Sequence, residues 1–134
     1  MDIVGIGTDI VECVRIGQMI EKHGELFLER VFTARELRYC QDRKNATEHF
    51  AGRWAAKEAI LKCLGTGWKN GISWTDVEVR NDFDGAPHVF LGGVAKEHAQ
   101  ALRISDILVT ISHCRSYATA YALAVSGTTP KMAE

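Results

Sequence analysis

From about Ala46 onward the chain carries Phe50, Trp54, Leu61 and Leu64 at helical spacing, and the run is stopped by Gly65 and Gly67. The spacing predicts a long, largely buried helix, so the rest of the chain has to be arranged around it. With 134 residues, 46% of them hydrophobic, there is material for one domain with a single core rather than two joined by a linker. The interior has no Ser/Gly-rich or single-sign run and no internal repeat. Residues 1–126 are expected to form the domain. Residues 127–134, with Gly127, Pro130 and little apolar content, are expected to be a frayed tail.

Around the helix, period-two patterns supply strands. Asp2 to Glu12 is rich in Ile and Val with small residues between, and Gly5 and Gly7 leave one face bare for close approach. This strand is expected at the centre of the sheet. Val14 to about His23 allows a short helix, with a second short segment around Leu26, Phe27 and Val31. Thr33 with Glu36 three residues on forms a capping box for a helix ending near Arg43, with Leu37 and Cys40 inward. Trp74 to Leu91 reads as a β-hairpin turning at Asn81 to Gly85, and Gly92 to Leu102 as a helix. Two final strands follow, Asp106 to Ser112 and Tyr117 to Val125. The sum is an α+β domain, its mainly antiparallel sheet packed against the long helix.

Charged residues make up 25% of the chain and the net charge is −1, which does not provide the basic excess of a general nucleic-acid binder. No stretch approaches the roughly 18–20 apolar residues that span a bilayer, and the amino terminus opens on an alternating apolar segment rather than a signal sequence. A cytoplasmic location is expected. Cys13, Cys40, Cys63 and Cys114 stand singly without metal-ligand spacing and are expected to be reduced and mostly structural.

Three places put polar chemistry inside apolar elements. Asp9 lies within GIGTDIVE, where a buried carboxylate needs a cation or several hydrogen bonds, unless it marks a turn or edge position. The same run has two glycines of a dinucleotide fingerprint, but the third is missing and the strand continues where a helix should open. In RWAAKEAILKCLGTG, Arg53, Lys57, Glu58 and Lys62 stand among apolar residues. Glu58 and Lys62 share a face, as a metal ligand and a phosphate contact would, or as an ordinary surface pair would. Gly65-Thr66-Gly67 could approach a phosphate or simply end the helix, and no GK[ST] follows. The third place is Ile111-Ser112-His113-Cys114, whose histidine could serve a phosphate or act as acid or base, or could be a turn residue satisfied by backbone.

Taken in order, GIGTDIVE, FTARE (Phe32 to Glu36), FAGRWAAKEAILKCLGTG (Phe50 to Gly67), Gly85-Ala86-Pro87 and ISHCRSYATA (Ile111 to Ala120) resemble the short, trimeric class of 4'-phosphopantetheinyl transferases, over almost the whole chain. The resemblance implies Mg²⁺ held by Asp9 and Glu58, and Lys62 on the pyrophosphate of coenzyme A. It also implies Lys44, Arg53 and His113 around the nucleotide and its 3'-phosphate, with Gly65 and the turn ending at Pro87 near the adenosine. A carrier-protein serine would attack the β-phosphate, its proton going to Glu58, a metal-bound water or Glu36. The resemblance further implies a homotrimer with active sites between subunits, and an acidic acyl carrier protein docked on the helix that Arg15 leads.

That helix continues with Gln18, Glu21, Lys22 and His23, less basic than the family pattern, and Cys114 stands where serine or threonine is common. Two other readings use the same residues: a Mg²⁺-dependent phosphohydrolase or nucleotidyl transferase, and a non-catalytic module that binds coenzyme A or a carrier protein.

Overall fold

A computed structural model describes residues 1–68 and 71–127; the expected tail lies outside the described residues except for Gly127. The elements run β1 (Asp2–Glu12), α1 (Cys13–His23), α2 (Glu25–Val31), α3 (Ala34–Gln41), α4 (Ala46–Leu64), β2 (Val77–Asn81), β3 (Pro87–Leu91), α5 (Gly93–Ala101), β4 (Asp106–His113) and β5 (Tyr117–Ser126). The strands form a three-stranded sheet in the order β1-β5-β4 and a separate ribbon of β2 and β3, every pairing antiparallel.

The long helix is α4, and it is buried almost all round, Gly52, Arg53 and Lys57 included. It ends as its glycine requires: Gly65 takes the left-handed conformation at φ 75° and donates its amide to the carbonyls of Leu61 and Lys62. The capping box on α3 is present, with Thr33 accepting from the Glu36 amide and Glu36 from the Thr33 amide.

The sheet lies directly on α4 because its inner face is made of very small residues. A Cβ on Gly7 would sit 2.0 Å from the Ala59 carbonyl oxygen, and one on Gly5 2.2 Å from that of Cys63. Ala118, Ala120, Ala122 and Ala124 of β5 face the same helix and are fully buried or nearly so. Alternation along β1 then directs Asp9, two residues beyond Gly7, toward α4 as well.

Two sequence expectations change here. The first strand is not central: β1 lies at the edge and β5 occupies the middle, pairing Asp9 with Ala120 on one side and Ile111 with Ala120 on the other. The glycines of β1 serve the helix beneath the sheet, not a second neighbouring strand. Trp74 also does not open the hairpin as strand; Trp74–Asp76 is a 3₁₀ turn leading into β2.

Candidate active site

Asp9 from β1, Arg15 from α1 and Trp54 and Glu58 from α4 line one cavity of about 310 Å³, together with Ile10, Val11, Ile16 and Met19. Trp54 and Glu58 are four residues apart and so share one face of α4. Lys62 continues that face, but it does not pair with Glu58. Its ammonium reaches across to β1, donating to the Thr8 carbonyl at 2.8 Å and to Asp9 Oδ1 at 3.3 Å, with its side chain still half exposed. Glu58 accepts a hydrogen bond from Trp68 Nε1–H at 3.1 Å instead. The ordinary helix-surface pair expected from spacing is therefore absent.

The other predicted residues gather elsewhere. Lys44 lines a larger cavity of about 530 Å³ with Arg38, Tyr39, Asp42, Arg43, Asn45 and His49. His113 joins this group through its ring, 4.8 Å from that of His49, and its Nδ1 lies 3.0 Å from Glu48 Oε1, so a carboxylate partners it rather than turn backbone. Burial holds His49 below the usual histidine range, helped by the charges of His113, Arg43 and Arg53.

Arg53 belongs to this group but lies under its surface, only 3% exposed. Its guanidinium and that of Arg43 lie over the Tyr39 ring at 4.0 and 3.9 Å. Its Nη2 donates to Asn81 Oδ1, while its Nε has no hydrogen-bond partner among the described residues. Asn81 in turn donates to the Gly85 carbonyl and pairs with Pro87 across the hairpin, so the turn is tied to α4 through Arg53.

About 140° of helix rotation separates Arg53 from Glu58 at 3.6 residues per turn. Asp9, Arg15, Glu58 and Lys62 therefore form one group, and Lys44, Arg53, Pro87 and His113 another, on different faces of α4. Gly65, at the carboxyl end of α4, has its amide already engaged, so it offers a ligand close approach and not a donor.

Glu36 is removed from the candidates for general base. Both it and Lys57 have fully buried side chains, 2.7 Å apart. Its second oxygen accepts from the Val79 amide, and Lys57 also donates to the carbonyls of Val31, Trp74 and Val77. The pair is a structural junction beneath the site. Cys13, Cys40 and Cys63 are free and buried, and burial pushes the Cys40 thiol up to about 12 and that of Cys63 to about 11; Cys114 is free and exposed.

Tyr39, Arg43, His49 and Trp68 were not singled out by sequence. The i, i+4 spacings Tyr39/Arg43 and His49/Arg53 carried a signal, whereas nothing local places Trp68 on Glu58.

An α+β domain with two carboxylates and a lysine in one cleft, and a basic cavity across the same helix, has the components of a phosphoryl-transfer enzyme. The chain belongs to the 4'-phosphopantetheinyl transferase superfamily, whose family model matches residues 5–125. It is 49% identical over 120 residues to a holo-[acyl-carrier-protein] synthase of Protochlamydia amoebophila, covering 90% of this chain and 96% of that protein. The structure of the synthase from Neisseria meningitidis superposes with a TM-score of 0.86 at 31% identity, over 93% of this chain and all of that one. The Helicobacter pylori synthase, solved in complex with coenzyme A, superposes with a TM-score of 0.80 at 30% identity over 90% and 99% of the two chains.

Proposed function

We propose that this protein moves the 4'-phosphopantetheine arm of coenzyme A onto a serine of apo acyl carrier protein, in cytoplasmic fatty-acid biosynthesis. The serine oxygen attacks the β-phosphorus, the bond from that phosphorus to the bridging oxygen breaks, and 3',5'-ADP leaves. The observation that carries this reading is the cleft in which Asp9 and Glu58 meet, in a chain that matches the family nearly end to end. The coenzyme A complex of the H. pylori relative supports the donor substrate.

The donor set suits Mg²⁺. Among the described residues no group of three or more His, Cys, Asp or Glu could enclose a metal. Two carboxylates lining one cavity leave positions for water and phosphate oxygens, as this ion prefers. Bound there, Mg²⁺ would withdraw charge from the phosphoryl oxygens. Lys62 is poised beside Asp9 to leave it for the pyrophosphate and to stabilise the departing phosphate. Arg15, on the rim of the same cavity, receives the acidic carrier and so brings its serine to the reacting phosphorus. The remaining protein candidate for taking the serine proton is Glu58.

Lys44, His113 and the Pro87 turn, with Arg53 beneath them, bind the nucleotide end. Because α4 stands between this group and the carboxylates, both halves act on one coenzyme A only if a second copy supplies one of them. The outer face of the three-stranded sheet supports assembly: Ile6 and Ile10 of β1, Leu108 of β4 and Tyr121 of β5 stand exposed in adjoining rows. Such an uncovered apolar face favours association. Sedimentation equilibrium is expected to return the mass of three chains, and Ile6→Lys to disperse them; a wild-type monomer would contradict the shared site.

Release of 3',5'-ADP that requires apo carrier protein tests the reaction itself. Pantetheine phosphate freed into solution without a carrier would mean a hydrolase, and no turnover of coenzyme A in either case would mean a binding module. Among the described residues no helix is long and apolar enough to cross a membrane.

A further inference from the structure

The loop after α4 returns to the helix it has just left. Gly65 and Gly67, both at positive φ (75° and 58°), allow that reversal, and it delivers the indole of Trp68 to the Glu58 carboxylate, Nε1 to Oε1 at 3.1 Å. The indole is itself held. Its ring stacks on Trp74 with centroids 3.8 Å apart at 29°, and Trp74 stacks on Trp54 at 4.4 Å and 27°. Trp54 lines the cavity beside Glu58, one helical turn away. Trp74 is fixed from the other side, where its carbonyl accepts from the buried Lys57 ammonium at 3.0 Å.

The two carboxylates of the cleft thus have different partners. Asp9 has a cation, Lys62. Glu58 has a neutral, donor-only N–H, which takes one lone-pair position and leaves the carboxylate its full charge and its second oxygen. A partner of this kind fixes the rotamer of a ligand without neutralising it, as outer groups around metal ligands do.

We infer that Trp68 is a positioning residue for Glu58: its indole N–H, braced by the Trp74 and Trp54 stack, holds the carboxylate in the orientation that binds the divalent cation. This rests on the reading of Glu58 as a metal ligand. Removing the N–H while keeping a ring, in Trp68→Phe, weakens cation binding by about tenfold. The Mg²⁺ concentration for half-maximal transfer rises in step.

The test is calorimetric titration of the assembled protein with MgCl₂ in the presence of coenzyme A, for wild type, Trp68→Phe and Glu58→Gln. The expected order is tight, about tenfold weaker, and no saturable binding, with the metal-free melting temperatures of wild type and Trp68→Phe alike. If Trp68→Phe binds Mg²⁺ as tightly as wild type while Glu58→Gln does not bind, Trp68 only packs and the inference is overturned. If Glu58→Gln binds like wild type, the ligand reading itself has failed. Should Trp68→Phe not fold, the wild type still decides. The indole Nε1–H resonance of Trp68, assigned through Trp68→Tyr, is expected to move on addition of Mg²⁺, and a resonance that stays still overturns the inference.

Discussion

Asp9→Ala and Glu58→Ala are each expected to lower phosphopantetheine transfer by about three orders of magnitude or more, corresponding to several kcal/mol of barrier. Each removes one of the two charged oxygen donors lining the cleft between β1 and α4. The fold should survive both changes. Asp9 is on the helix-facing side of an edge strand whose seat on α4 is made by Gly5 and Gly7, and the Glu58 carboxylate accepts a hydrogen bond from Trp68 alone among the described residues. The two variants should still differ. Asp9→Ala takes away the carboxylate partner of Lys62 and leaves it only the Thr8 carbonyl, whereas Glu58→Ala leaves the Lys62 contact with Asp9 in place. Initial rates over a range of Mg²⁺ concentrations, with sedimentation to confirm intact assembly, measure the effect. Near-wild-type rates in either variant would remove that carboxylate from the site.

Lys57→Met is expected to destabilise the protein by about 3–5 kcal/mol, a large part of the roughly 5–15 kcal/mol that holds a domain together. Methionine preserves the length of the stem but leaves the Glu36 carboxylate buried without its counter-charge. It also takes a donor from the carbonyls of Val31, Trp74 and Val77. Burial presses the Lys57 ammonium below the usual lysine range while Glu36 pulls it back up, so the ion is tolerated only because its partners are complete. Adding Glu36→Gln should recover part of the loss and not all of it, since the three carbonyls remain without their donor. Urea unfolding at one fixed protein concentration reads the difference. A Lys57→Met protein within about 1 kcal/mol of wild type would mean the pair contributes little.

The junction also explains why the site is built where it is. Lys57 immediately precedes Glu58, and through Val31, Trp74 and Val77 it connects α4 to the end of α2, to the 3₁₀ turn and to the start of β2. The residue that carries the chemistry is therefore flanked by the one that fixes the helix.

Local signals made most of the elements legible. Phe50, Trp54, Leu61 and Leu64 marked α4, Thr33 and Glu36 marked the start of α3, and the alternation of Val77, Val79, Val89 and Leu91 marked the hairpin. Strand order was not legible, because β1 and β5 are distant in sequence and their alanines and glycines read as spacing within a strand, not as a surface cut to fit a helix. For the site, the local pattern left Asp9 between function and a turn or edge position, and Glu58 and Lys62 between function and ordinary surface decoration, and the ordered motifs decided the emphasis. The contacts between separate segments stayed invisible: Lys62 on Asp9, Glu36 on Lys57, and Trp68 on Glu58 join residues whose sequence separations follow no period.

The most direct measurement is the intact mass of an apo acyl carrier protein after incubation with this protein, coenzyme A and Mg²⁺, beside a chelator control. Transfer predicts that the carrier gains one phosphopantetheine arm, on a serine, and that the gain disappears with chelator. A carrier of unchanged mass while coenzyme A is consumed, or remains bound and intact, would contradict the transferase reading.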